Sequence, residues 1–210
     1  MAERASGVPA GLDRGVRLLV GVFLGAVGYA LTLRADLGLG PWHVLQQGLA
    51  EQLEVSIGTA SILVNVALLV AAIALRERPG VGTVAATVLG GVFLDAVLPA
   101  LGHPHGTPAE VAALVAGLVV MSFGGALYMS ALLGSSPLDA VMTGVYRWTP
   151  LSLHTARLGL EIAGLTLGWW AGGTVGIGSA VIGLGIGPAL HAWLHLLRSV
   201  PEKAPTANFA

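Results

Sequence analysis

Glu161 and Arg157 have the residue types and spacing that most invite chemistry in this chain. They stand four residues apart inside the apolar run Leu153–Ala171, which puts both on one face of a helix. A carboxylate in an apolar slab is costly. It marks either an ion pair, with Arg157 snorkelling to orient Glu161, or a protonatable group that binds substrate. His43 and Asp139 form a second pair, each two residues after a proline (Pro41, Pro137) that opens a short helical stretch. Such a helix start presents free N–H groups and a positive dipole end that can hold an anionic group. His43 adds a proton-switchable charge there, its unperturbed pKa being ~6.5. The alternative is that both residues cap their helices or sit in wet vestibules. Gln46, on the helix of His43, weighs with them, and Trp42 fits an interfacial anchor.

These residues belong to a chain that repeats itself. Shifted by about 96 residues, Leu37-Gly38-x-x-Pro41 falls on Leu133-Gly134-x-x-Pro137, and Ser56-x-x-Thr59-Ala60 falls on Ser152-x-x-Thr155-Ala156. Gly80-Val81-Gly82 likewise meets Gly176-Ile177-Gly178. No gap is needed, and roughly a quarter of the aligned positions are identical, a strong repeat signal. In this register His43 mates with Asp139 and Asn65 with Glu161, which brings Asn65 into the candidate set.

The elements that must position these residues are apolar helices. Hydrophobic residues make up 55% of the 210 residues and charged residues only 10%, against about 25% charged in soluble chains. Six spans are expected: Val16–Leu33, Ile57–Leu75, Gly82–Leu101, Ala109–Ala131, Leu153–Ala171 and Gly178–Leu197. Between them, Val44–Leu53 and Ala140–Trp148 give about three helical turns each, too short to cross a bilayer. Gly38, Gly40 and Pro41 shape the turn into the first; Gly134 and Pro137 shape the turn into the second. Each reads as a re-entrant or interfacial half-helix.

Three spans per copy is an odd number, so the two copies must lie upside down relative to each other, as in many transporters. The expected fold is therefore all-α: a polytopic membrane bundle of two inverted repeats, each of three spans plus one half-helix. It forms a single membrane domain over residues 1–210, with repeats at 16–101 and 109–197 and polar termini at 1–15 and 201–210, the latter expected to be disordered. Six spans with a cytoplasmic N-terminus put Arg4, Arg14, Arg17, Arg76, Arg78, Arg147, Arg198 and Lys203 inside and Arg34 outside, as the positive-inside rule requires. The C-terminus is then cytoplasmic too. The N-terminal stretch, with Glu3, Arg4, Asp13 and Arg14, lacks the pattern of a signal peptide.

The string Ala35-Asp-Leu-Gly-Leu-Gly-Pro-Trp-His-Val-Leu-Gln-Gln-Gly-Leu49, then Ser56-Ile-Gly-Thr-Ala-Ser61 and Arg76-x-Arg78-Pro-Gly-Val-Gly-Thr83, resembles the bacterial YczE-type membrane proteins, grouped with the YyaS and YitT proteins. Relatives often have Asp after Pro-Trp, where this chain has His43; the second half keeps Asp139 at the equivalent position. The resemblance implies a multi-pass protein of the bacterial plasma membrane and names no substrate.

Other chemistries lack their residues. There is no Cys, no Walker motif, no Gly-x-Ser-x-Gly and no Rossmann setting for the Gly-x-Gly turns. His191-x-x-x-His195 has zinc-like spacing without the adjacent Glu. No enzyme, cofactor or metal is expected, and a formal net charge of −1 argues against nucleic acid. The expected function is secondary transport of a small molecule, anionic or proton-coupled ligands included. The alternatives are a substrate-binding membrane subunit of a multi-component transporter, or a structural or regulatory membrane protein. The expected partners are the lipid bilayer and the transported solute. Small-residue faces such as Gly21-x-x-x-Gly25 and Gly183-x-Gly185-x-Gly187 leave packing within one chain or in a homodimer open.

Overall fold

The computed structural model describes residues 10–197. Glu3, Arg4, Arg198, Lys203 and the disorder expected of 201–210 lie outside the described residues. Eight α-helices follow one another: α1 (Ala10–Ala35), α2 (Pro41–Leu53), α3 (Ile57–Ala74), α4 (Val81–Val97), α5 (Thr107–Ser130), α6 (Pro137–Trp148), α7 (Leu153–Trp170) and α8 (Ile177–Leu196). A single 3-10 turn, Leu98–Ala100, extends α4, and no strand occurs among the described residues.

Five helices are long and apolar enough to cross a membrane: α1, α3, α4 with its 3-10 turn, α5 and α8. The sixth expected span is where the structure departs from the expectation. Helix α7 has the 18 residues, but His154, Arg157 and Glu161 dilute its hydropathy, and it is not among the five. Helices α2 and α6 have 13 and 12 residues. At 1.5 Å per residue each is about 20 Å long, short of the ~30 Å hydrocarbon core.

The same backbone is built twice. Helices α2, α3 and α4 begin 96 residues before α6, α7 and α8. Positive φ angles occur at Asp36 and Leu132, at Gly38 and Gly134, and at Arg76 and Gly172, all pairs of repeat mates. Gly38 and Gly134, at φ 106° and 144°, need the freedom that only glycine has there. Ser56 and Ser152 each cap the following helix by accepting from Thr59 N and Thr155 N, both at 3.1 Å.

Contacts between the halves are reciprocal. The Leu37 carbonyl accepts from Gly178 N at 2.7 Å, and the mate Leu133 accepts from Gly82 N at 2.9 Å. Helix α2 rests on α7, and its mate α6 rests on α3; α1 packs on α4, and α5 on α8. The largest interface joins α1 to α5. A Cβ on Gly21 would lie 2.7 Å from the Gly124 carbonyl oxygen, and one on Gly28 would lie 2.7 Å from that of Gly117. Gly21 mates with Gly117 and Gly28 with Gly124, so the two helices run antiparallel with backbones in contact. Only glycine permits that approach.

One contact has no counterpart. Helix α3 packs on α4, where the Gly58 and Gly91 backbones touch. There Asp95 accepts from Gly58 N at 2.8 Å and from the Ser56 hydroxyl at 2.6 Å. Helices α7 and α8 form no comparable interface. At the positions of Gly58 and Asp95 the second half has His154 and His191, and both are exposed. The glycine that allows backbone contact on α3 is thus missing from α7. Gly183 and Gly187 of α8 accordingly face open space, while Gly185 meets Leu118.

Candidate functional site

A cavity of about 380 Å³ lies at the centre of the bundle, bounded by every helix except α7. That volume is in the range of small-molecule sites. Small residues make room for it: Gly25 of α1, Gly90 of α4 and Gly125 of α5 line its walls. Of Gly21-x-x-x-Gly25, both glycines line the cavity, and Gly21 also packs its backbone against α5.

Helix α2 supplies the polar wall. Gly40, with φ −63° and ψ 154°, is its N-cap, and Pro41 fills the first turn. The helix therefore starts inside the protein and directs Trp42, His43 and Gln46 to the cavity. Trp42 Nε1, His43 Nδ1 and Gln46 Oε1 are each buried with no hydrogen-bond partner among the described residues. Gln46 is only 5% exposed. Leaving a buried polar atom unmade costs about 1–3 kcal/mol, and this short helix carries three such atoms, the Trp42 nitrogen lying against Gly164 of α7. Gln47 is spoken for: its amide pairs with Thr174 through Nε2 to Oγ1 at 3.0 Å and Thr174 N to Oε1 at 2.8 Å.

Tyr29 of α1 completes this wall. Its ring stacks on His43 with centroids 3.8 Å apart and planes 21° from parallel. Its hydroxyl donates to the His43 carbonyl at 3.3 Å. The remaining surface of His43 lines the cavity.

The other walls carry neutral groups. Ser61 and Asn65 come from α3, Thr87 from α4, Ser122 and Tyr128 from α5, and Ser136 from the start of α6. No Asp, Glu, Lys or Arg lines the cavity.

Of the residues singled out in the sequence, His43, Gln46, Asn65 and Pro137 meet here, and Glu161, Arg157 and Asp139 do not. Asp139 is held at the start of its helix by the N-cap Ser136: its N–H donates to Ser136 Oγ at 3.1 Å, and the Ser136 hydroxyl donates back to its carboxylate at 2.7 Å. Arg157 and Glu161 face each other loosely at 3.8 Å on α7, with side chains 49% and 28% exposed. Their repeat mates Ser61 and Asn65 do line the cavity. The difference arises because α7 stands off from α8, whereas α3 is clamped to α4. Tyr29, Ser61, Thr87 and Ser122 were not legible as site residues. Thr87 donates to the Thr83 carbonyl and Ser122 to that of Val119, ordinary bonds for hydroxyls within an apolar helix.

His191 and His195 contact each other at 3.0 Å through Nε2 on α8. No group of three or more metal-ligating residues occurs among the described residues.

Residues 12–195 match the model of a family of unknown function, DUF6198, and the chain belongs to that family. An uncharacterised protein of Haemophilus influenzae is 31% identical over 185 residues, 88% of this chain and 85% of its own length. YczE of Bacillus subtilis, named an uncharacterised membrane protein, is 30% identical over 196 residues, 90% of this chain and 86% of its own. YyaS of the same organism is 23% identical over 182 residues, 85% of this chain and 90% of its own. The resemblance to YczE and YyaS read from the sequence is therefore met along most of the chain. No solved structure matches.

Proposed function

We propose that this DUF6198 protein is a multi-pass membrane protein that carries a small molecule through the central cavity, by exchange between two inverted halves. The observation that carries the reading is the cavity itself, whose wall on α2 is formed by Trp42, His43 and Gln46 at the start of a half-helix. Discontinuous helices that begin near the bilayer midplane are a recurrent way to build transport sites. The antiparallel α1–α5 pair and the reciprocal Leu37–Gly178 and Leu133–Gly82 bonds support an axis lying in the membrane plane. The five apolar helices and the name of the YczE relative support membrane insertion, with α7 as the sixth and most polar span.

Cytoplasmic termini are supported by a cluster at one end of the bundle. There Arg147 pairs with Glu77 at 3.1 Å and Arg76 lies 5.5 Å over the Trp148 ring. Trp148 Nε1 also donates to the Leu75 carbonyl at 3.0 Å. Two of the arginines expected inside, Arg76 and Arg147, thus meet at one face. The closed α3–α4 and open α7–α8 seams support two halves in different states. When α7 closes, Arg157 and Glu161 approach the cavity as Ser61 and Asn65 do now.

The test is access to Ser61→Cys, a near-isosteric change in the cavity wall of a chain without native Cys. A carrier exposes this thiol to a membrane-impermeant reagent from each side of the membrane. Labelling from neither side would make the cavity a sealed packing defect and end the transport reading.

A further inference from the structure

We infer that the molecule taken by the central cavity is a single-chain amphiphile whose acyl chain lies in a second space, a groove between α2 and α3. This rests on the reading of the cavity as the transport site and names the class of molecule that enters it. The groove measures about 330 Å³ and is lined by hydrophobic side chains, among them Leu45 and Leu49 of α2 and Leu63 and Ala67 of α3. Its one polar side-chain atom, the Trp42 nitrogen, lies against Gly164 of α7. Leu63 is 44% exposed, and the exposed Val66 and Val70 continue the same outer face of α3. On a helix long and apolar enough to cross a bilayer, such a face meets hydrocarbon. The groove is therefore open to acyl chains and offers nothing to a polar solute.

The groove adjoins the cavity. Trp42 and Leu68 line both spaces, so the two share a wall. Along α3 the two linings run side by side: Ser61, Asn65 and Leu68 follow at helical spacing on the cavity, and Leu63 and Ala67 lie on the groove. A chain lying in the groove brings its polar end to the Trp42–Leu68 edge, beside the hydroxyl of Ser61 and the amide of Asn65. Because no Asp, Glu, Lys or Arg lines the cavity, an uncharged head such as a glycerol ester suits it better than an ion. Hydrocarbon gains little on moving from lipid tails to this groove, since the tails are as apolar as leucine. Selection among bilayer molecules thus falls to the head in the cavity.

A monoacylglycerol with a photoreactive diazirine in its chain, crosslinked to the full protein in phospholipid vesicles and mapped by mass spectrometry, makes the test. Saturable label is expected at Leu45, Leu49, Leu63 and Ala67, displaced by unlabelled monoacylglycerol and not by a plain hydrocarbon of equal length. Ala67→Trp and Leu63→Trp fill the groove from its exposed edge, and each should weaken binding by about tenfold or more. Val70→Trp, one turn further along the same face and outside the groove, should leave it unchanged. Saturating monoacylglycerol should also slow thiol labelling of Ser61→Cys. Label spread evenly over lipid-facing residues, displacement by plain hydrocarbon, equal loss in Val70→Trp, or an unslowed thiol would overturn the inference. The groove would then hold ordinary solvating lipid. Access to Ser61→Cys without added amphiphile decides transport separately. A thiol reached from both sides with no saturable label removes the amphiphile and keeps the carrier. Saturable label with a thiol sealed from both sides removes the carrier and leaves the acyl-chain site.

Discussion

His43 and Asp139 occupy equivalent places and do opposite things. At the start of α6 the Ser136 hydroxyl accepts from Asp139 N–H and donates to the Asp139 carboxylate. His43 leaves the start of α2 to Gly40 and Pro41 and turns its ring to Tyr29 and the cavity.

Asp95 fixes a seam that its repeat mate His191 cannot. Asp95→Ala leaves Gly58 N–H and the Ser56 hydroxyl without their acceptor at the α3–α4 junction. The expected cost is about 1–3 kcal/mol, read as a fall in unfolding midpoint, with the α2 wall of the cavity untouched. Full stability of this variant would show that the Gly58–Gly91 contact holds the seam unaided. The helices themselves were largely legible in the sequence. Apolar runs, Gly-Pro starts and the Ser caps predict α1 to α8 to within a few residues, except that α1 runs beyond Val16–Leu33 at both ends. The cavity was not, because its walls come from seven helices and no local pattern encodes their convergence. Glu161 drew attention as a charge in an apolar run. It stands off the cavity because α7 does not pack on α8 as α3 packs on α4.

The molecule as a whole follows from one repeated unit and the way its two copies meet. Glycines on α1 and α5 bring the copies together back to back, and the half-helices of each copy rest on the third-ranked helix of the other. If the axis between the copies lies in the membrane plane, every equivalent pair of surface positions faces opposite sides. Glu51 at the end of α2 and Arg147 at the end of α6 are such a pair, and both are exposed. Arg147 pairs with Glu77 through a side chain that is itself 55% exposed and open to labelling at its position. The most direct measurement is labelling of Glu51→Cys and Arg147→Cys with a membrane-impermeant thiol reagent, in intact cells and in inside-out vesicles. The account predicts that Glu51→Cys reacts in intact cells and Arg147→Cys only in inside-out vesicles. Reaction of both from the same side would contradict the inverted halves and, with them, the carrier built on their exchange.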